Sequence, residues 1–323
     1  MLRIAQAWAC MPIVDPLPAD PLLHGSAFDR LQRATGLLRL DVGTRALRSC
    51  VGRPTVQSCI VSLRQQGCFK LLFPRVEVDA PLQAVTVNTS GGIAAGDRLE
   101  SFISCAGGTH LVLTAQAAER CYRARPGEAP SHVAAEVRLE ANARLEWLPQ
   151  ETILFEGARL HRRLVVEMDP DASFLGLESR VFGRALRGER VHSLDLSDRI
   201  IIRRGGRPVL VDRLELHGDA QAALSRPAIG KNAIASAMIV LVAPDAESFL
   251  HPVRRLLTEM LASDTGIDAG VVDAGAVDAG VSGWNGMLLV RLVSKDASRH
   301  RTLIAAVLSI LRSGAPLPAV WRS

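Results

Sequence analysis

The sequence predicts a mainly β fold, and three observations predict it. The first is alternation: His132–Leu139 puts Val133, Ala135, Val137 and Leu139 on one side and His132, Ala134, Glu136 and Arg138 on the other. Period two with one apolar face marks a half-buried strand. The second is recurrence, because short apolar segments return at Ala84–Asn88, Leu111–Thr114, Arg144–Leu148, Arg162–Met168, Ser173–Leu177, Ile200–Arg203, Val209–Leu216 and Ala237–Ala243, with Gly and Asp turns between them. That spacing reads as a largely antiparallel architecture rather than alternating β and α units. The third is composition: hydrophobic residues make up 48% of the chain but aromatic ones only 4%, so Val, Leu, Ile and Ala must fill the core.

Two amphipathic helices are expected near the C-terminus. In Ala246–Ser263 the residues Phe249, Val253, Leu256, Leu257, Met260 and Leu261 share a face at helical period, with Pro252 placed in the first turn. In Ser298–Ser313, Leu303, Val307, Leu308 and Leu311 do the same, and Gly314 with Pro316 ends the element. Each face suits core packing or a partner's groove. Between the helices, residues 266–280 repeat a five-residue unit ending in Asp-Ala-Gly three times. Three copies of five do not match the nine-residue calcium-binding repeat, so the segment is read as a flexible surface loop. Residues 1–27, rich in Pro and apolar residues without a clear period, read as a flexible extension ahead of one domain spanning 28–323.

Composition excludes several functions. The 38 basic and 33 acidic residues are dispersed, for a net charge of +5, with no run of five like charges. Nucleic-acid binders concentrate basic residues in a patch, and single-strand binders add exposed rings, so no nucleic-acid partner is expected. No apolar run reaches membrane-spanning length. The six cysteines include no C-x-x-C pair and the eight histidines are all more than five residues apart. Reduced thiols, a cytoplasmic location and no stable metal site follow as expectations.

Two stretches could carry chemistry. Asn88–Asp97 is Gly-rich and follows a strand, but it lacks the Lys-Ser/Thr ending of a nucleotide loop. It is read as a structural turn built on Asn88, Thr89, Gly91, Gly92, Gly96 and Asp97. Glu119 and Arg120 follow at the end of the next strand, either as a buried ion pair or at a solvated rim. Over residues 145–160, Glu146, Glu151 and Glu156 interrupt apolar strand-like segments, which is unusual unless those carboxylates have partners. A pair of acids facing one cleft would suit a β-scaffold carbohydrate-active hydrolase or lyase. Against it, exposed aromatics that would line a sugar cleft are few.

The segments NTSGGIAAGDRLE (88–100), TAQAAERCYR (114–123), RLEWLPQETILFEGARLHRR (144–163), FGRALRGE (182–189), SGWNGMLLVRL (282–292) and LPAVW (317–321) occur in the order of the UreD/UreH urease accessory family. The chain resembles that family from about Phe28 to its end, and RQQGCFKLLFPR (64–75) resembles its strand pair before the Gly-rich turn. It departs at Ala95, where the family often has glycine, at Cys121, where it has a β-branched residue, and at Glu156, where it has aspartate. The resemblance implies a β-helix-like stack of many short strands with two helices. It also implies a non-catalytic scaffold that binds a UreF-type accessory protein, a UreG-type GTPase and apo-urease, with nickel(II) in transit and no stably bound cofactor. Gln116, Glu119, Glu146, Gln150 and Glu151 are then candidates for a polar nickel route, since oxygen ligands hold a divalent ion loosely enough to release it. Arg120, Glu156, Arg159, Arg184, Gly188 and Glu189 are the other motif residues.

Overall fold

Two facing β-sheets are wound by one chain that crosses repeatedly from one to the other. The computed structural model describes residues 32–47, 55–77, 80–184, 187–263 and 277–321. The extension expected over 1–27 lies outside the described residues. The strands are β1 (Thr35–Leu47), β2 (Thr55–Gly67), β3 (Phe69–Leu72), β4 (Leu82–Asn88), β5 (Arg98–Cys105), β6 (His110–Ala115), β7 (Glu119–Cys121), β8 (Ser131–Leu139), β9 (Arg144–Leu148), β10 (Thr152–Leu154), β11 (Arg159–Met168), β12 (Ser173–Phe182), β13 (Leu194–Arg204), β14 (Arg207–Gly218), β15 (Ala235–Val242), β16 (Val277–Trp284) and β17 (Met287–Ser294). The first sheet has the order β14-β13-β11-β8-β5-β1-β2, and the second runs β16-β17-β15-β12-β9-β6-β4-β3, with β10 and β7 attached beside β12.

The antiparallel expectation is corrected. β1, β5, β8, β11 and β13 are parallel neighbours, as are β4, β6, β9 and β12. Antiparallel pairs stand at the margins, where β2, β14, β3 and the β15, β17, β16 group pair with their neighbours. Parallel strands need a long crossover. Here the crossover is a strand in the opposite sheet, which makes each turn of chain one coil of a β-helix. Alternation misled because it records burial of one face, not strand direction. Most parallel sheets are covered on both faces and do not alternate, but the first sheet carries polar residues on its outer face.

Register keeps the core aliphatic. Leu40, Ile103, Val137, Val166 and Ile202 face one another across β1, β5, β8, β11 and β13, each at most 3% exposed. In the opposite sheet Leu111, Leu145, Phe174, Val242 and Met287 form the matching ladder. These two ladders share one core. The other face of the second sheet, including Val112, Leu148, Leu175, Ile239, Leu241 and Leu288, packs with the C-terminal helices.

Both expected helices form, as α2 (Leu250–Ser263), preceded by a 3-10 turn at Ala246–Phe249, and α3 (Ala297–Leu311), while a shorter α1 (Ala220–Ser225) went unforeseen. Pro252 is the third residue of α2, where its missing N–H breaks no helical bond. Asp296 caps α3 by accepting from Arg299 N at 2.9 Å. Asp219 caps α1 in the same way, accepting from Ala222 N at 2.8 Å. Among the described residues no helix is long and apolar enough to cross a membrane.

The loop expected over 266–280 needs correction at its end. Residues 266–276 lie outside the described residues, but the third copy of the repeat enters β16, where Val277 is 6% exposed and Asp278 pairs with Lys231 at 2.8 Å. Its alternation of Val277, Ala279 and Val281 against β17 is a strand signal that the glycine-rich composition concealed. Deleting residues 277–280 should therefore lower the melting temperature by several degrees, because it strips Val277 and half a strand from beneath α2. An unchanged melting curve would show that β16 contributes nothing there.

Candidate functional site

The Gly-rich turn links β4 to β5 and is held by its own polar side chains. Asn88 Nδ2 donates to Gly92 O at 3.1 Å and to Glu119 Oε1 at 3.2 Å, while Asn88 Oδ1 accepts from Ser90 N at 3.0 Å and from the Ser90 hydroxyl at 2.6 Å. Thr89 Oγ1 donates to Cys68 O at 3.0 Å. Asp97, 3% exposed, accepts from Ala34 N and Ala94 N, both at 2.8 Å. Gly91 and Gly96 take positive φ. Gly92 has φ +146°, and a Cβ there would meet the Tyr122 ring at 2.5 Å and Arg120 O at 2.8 Å. Tyr122 closes the turn by donating to Gly91 O at 2.7 Å.

Glu119 stands against this turn at the start of β7. Burial pushes its carboxyl up to about 7, against hydrogen bonds from the Asn88 amide and the Arg120 backbone N–H, with a smaller upward push from Asp97. The pairing with Arg120 that its place in the sequence allowed is absent. Adjacent strand residues point to opposite sides, and Arg120 is exposed, with its carbonyl accepting from Ile93 N at 2.7 Å.

Between the sheets lies a charged layer that sequence reasoning missed. Arg162 on β11 makes a two-pronged contact with Asp198 on β13, Nε to Oδ1 at 3.1 Å and Nη2 to Oδ2 at 2.5 Å. Arg180 on β12 donates from Nε to the same Oδ2 at 2.6 Å. Glu178 Oε2 lies 2.6 Å from Arg162 Nη2. All four side chains are at most 14% exposed. Burial would raise the Asp198 carboxyl, but the two guanidiniums hold it well below the carboxylate range, whereas burial keeps Glu178 above its ordinary value. The signal was present in phase: Arg162 and Asp198 stand two residues before the inward Leu164 and Ile200, directly opposite each other in register.

Glu146 points the other way, toward α3. It is 1% exposed and meets Arg312 Nε at 2.5 Å, His110 Nε2 at 2.9 Å and Arg144 Nη2 at 3.1 Å. Burial alone would raise its carboxyl; the His110 hydrogen bond and the Arg312 charge bring it down to about 2. Gln150 and Glu151 both accept from Arg301 Nη1, at 2.8 and 3.1 Å, and Gln150 Nε2 donates to Val320 O at 3.3 Å. Trp321 completes this seat: its indole N–H reaches Thr114 Oγ1 at 3.2 Å and Arg301 stacks over its ring at 5.2 Å. Thus three of the five proposed route residues hold the C-terminal helix and tail, Glu119 stands at the Gly-rich turn, and Gln116 is exposed.

The remaining motif residues brace loops. Glu156 accepts from His192 N at 2.6 Å and Ser193 N at 3.1 Å, so its longer arm caps the loop before β13. Arg159 pairs with Asp195 at 3.0 Å. Arg184 pairs with Glu189 at 2.9 Å and lies over Phe155, and Gly188 takes φ +70° beside them. Among the described residues no group of three His, Cys, Asp or Glu side chains could hold a metal ion.

These contacts set the outcome of three substitutions. Gly92→Val should sharply reduce soluble yield, since the branched side chain has neither room nor an allowed backbone there, at a cost of roughly 1–3 kcal/mol or more. Normal yield would show that the turn tolerates a side chain. Glu146→Ala strands the buried Arg312 and should cost about 3–5 kcal/mol in chemical denaturation. Glu151→Ala, which loses a half-exposed pair, should cost about 0–1 kcal/mol. Equal losses would contradict the burial difference.

Comparison with known proteins gives this architecture its context. The sequence model of the UreD urease accessory protein matches residues 38–322. The chain is 42% identical over 263 residues to the urease accessory protein UreD of Methylobacterium sp. (strain 4-46), covering 81% of this chain and 88% of that protein. It is 40% identical over 261 residues to UreD of Bradyrhizobium diazoefficiens, covering 80% and 86%. With UreD of Rhizobium leguminosarum bv. viciae the figure is 36% over 260 residues, covering 80% and 88%. A family match over residues 38–322, with relatives 36–42% identical over about four-fifths of the chain, shows that the chain belongs to the UreD urease accessory protein family.

Proposed function

We propose that this chain is a non-catalytic, cytoplasmic scaffold of urease maturation, binding apo-urease together with a UreF-type protein and a UreG-type GTPase, and assisting nickel(II) on its way to the urease active site. Membership of the accessory family carries the reading. The geometry supports it through Glu119, a carboxylate set with Asn88 and Asp97 at the Gly-rich turn of an aliphatic β-helix and paired to no arginine side chain. Buried charge is costly in such a core. A carbohydrate-cleaving role gains no support from the glutamates that suggested it, because Glu146 is ionised far below neutral pH and fully engaged by Arg312, and so cannot donate a proton.

Glu119 is the group to test, because its removal strands no arginine. Glu119→Gln should leave assembly with the urease proteins intact while lowering nickel per active site in co-expressed urease. The sign of its pH dependence follows from its raised pKa: below about 7 the carboxyl is protonated and a poor ligand, so loading by the native protein should rise with pH through about 7 and that of Glu119→Gln should not. Normal loading by a soluble Glu119→Gln protein would remove this carboxylate from the route. Failure of the native chain to associate with any urease protein would overturn the scaffold reading itself.

A further inference from the structure

Parallel register on the outer face of the first sheet supplies a histidine pair that the spacing of histidines along the sequence does not contain. His132 on β8 stands directly opposite His161 on β11. Leu160 and Arg162 turn into the interior, so His161 points outward, and its side chain is 38% exposed. His132 is half-buried beside it. The two ring centroids are 5.4 Å apart with the planes at 86°, the edge-to-face contact that neutral rings favour. On the far side of His161, its Nε2 lies 3.5 Å from Asp195 Oδ1. Asp195 is already engaged by Arg159 and by His217, each at 3.0 Å. Neither the family assignment nor the proposed nickel route uses this pair.

We propose that His132 and His161 form a solvent-facing chelating pair for a borderline divalent cation of the nickel, copper and zinc class. Imidazole nitrogen is a common ligand of these ions, whereas magnesium and calcium take oxygen. An ion about 2.0–2.1 Å from one nitrogen of each ring sits roughly 3.2 Å from each centroid, and centroids 5.4 Å apart then subtend about 115° at it, near the tetrahedral angle. Turning the partly exposed rings aims a nitrogen of each at that point without moving the strands. The sheet fixes the spacing of the two side chains in advance, so little ordering is left to oppose binding. Asp195 acts from outside the pair: its carboxylate favours the His161 proton on Nε2 and leaves Nδ1 with the free lone pair. Held by Arg159 and His217, it is not a third ligand. Two imidazoles with water completing the shell bind reversibly, and the charge of Arg98, directly opposite His132 on β5, loosens the hold further. The inference stands on this pair alone and does not require the maturation reading.

The test uses the full chain without an affinity tag, titrated with nickel chloride in a non-chelating buffer at neutral pH. Calorimetry should show a reversible site for which zinc competes and a large excess of magnesium does not. Nickel should protect His132 and His161, but not His192, from diethyl pyrocarbonate as read by mass spectrometry. H132Q and H161Q should each weaken binding at this site about tenfold or more with an unchanged melting temperature, a loss at least as large as changes outside the ligand shell cause. H192Q should bind as the native chain does. Should H161Q prove insoluble, H132Q alone should show the same loss. No nickel binding by the native chain, unaltered affinity in soluble H132Q, protection confined to other histidines, or equal displacement by magnesium overturns the proposal.

Discussion

Everything in this fold hangs on the register with which each coil returns to its sheet. Leu40, Ile103, Val137, Val166 and Ile202 stack at one level because successive strands of the first sheet are parallel and aligned without slip over that stretch. Side chains alternate faces with period two, so a shift of one residue would turn Arg163 and Arg199 inward and expose Leu164 and Ile200. That exchange would bury unpaired charge in place of aliphatic surface, and the penalty locks the coil. The bulge between Asp41 and Val42 falls in the pairing of β1 with the marginal β2, where slippage disturbs no ladder.

Against that aliphatic background the buried charges sort into two kinds. Asp198 is held by Arg162 on the neighbouring β11 and by Arg180 from the opposite sheet, and Glu146 by Arg312 at the end of α3; the Arg180 and Arg312 contacts join pieces of chain that backbone bonding does not. Glu146 ties β9 to Arg312, 166 residues away, so the second sheet and the end of α3 share one ion pair. A buried pair of this sort adds little net stability over an apolar replacement, but losing one partner is severe. Its effect is therefore on arrangement: it fixes where α3 ends and where the tail carrying Trp321 lies.

This division explains what the sequence disclosed and what it withheld. The strand content, the two long helices, the Gly-rich turn and the family were all legible, because alternation, helical period and motif order are local properties of the chain. Strand direction was not, since Val133, Ala135, Val137 and Leu139 would alternate identically in either pairing. Glu146, Glu151 and Glu156 stood out as acids needing partners, and they have them; that those partners are Arg312, Arg301 and the backbone N–H groups of His192 and Ser193 could be known only from the folded chain. The layer of Arg162, Glu178, Arg180 and Asp198 escaped for a related reason. Each residue alone reads as an ordinary surface charge, and its inward phase shows only when Leu164 and Ile200 are known to face the same core.

Glu119 differs from these anchored acids in a way that bears on any passage of cations. The carboxylates of Asp198 and Glu146 are already neutralised by guanidiniums, so a divalent ion binding either would have to displace an arginine and leave it buried and unpaired. Glu119 accepts from the Asn88 amide and the Arg120 N–H and has Asp97 near it, and burial opposes its ionisation with no side-chain cation to favour it. An arriving divalent ion would supply the missing positive charge, displacing a proton and no side chain. The same physics limits how tightly it could be held, because one carboxylate and one amide carbonyl are too few ligands to trap a metal that also keeps its water. Weak capture without structural rearrangement is what separates a place where an ion pauses from one where it stays, and on the proposed reading that combination would fall at the Gly-rich turn rather than at the charged layer deeper in the coil.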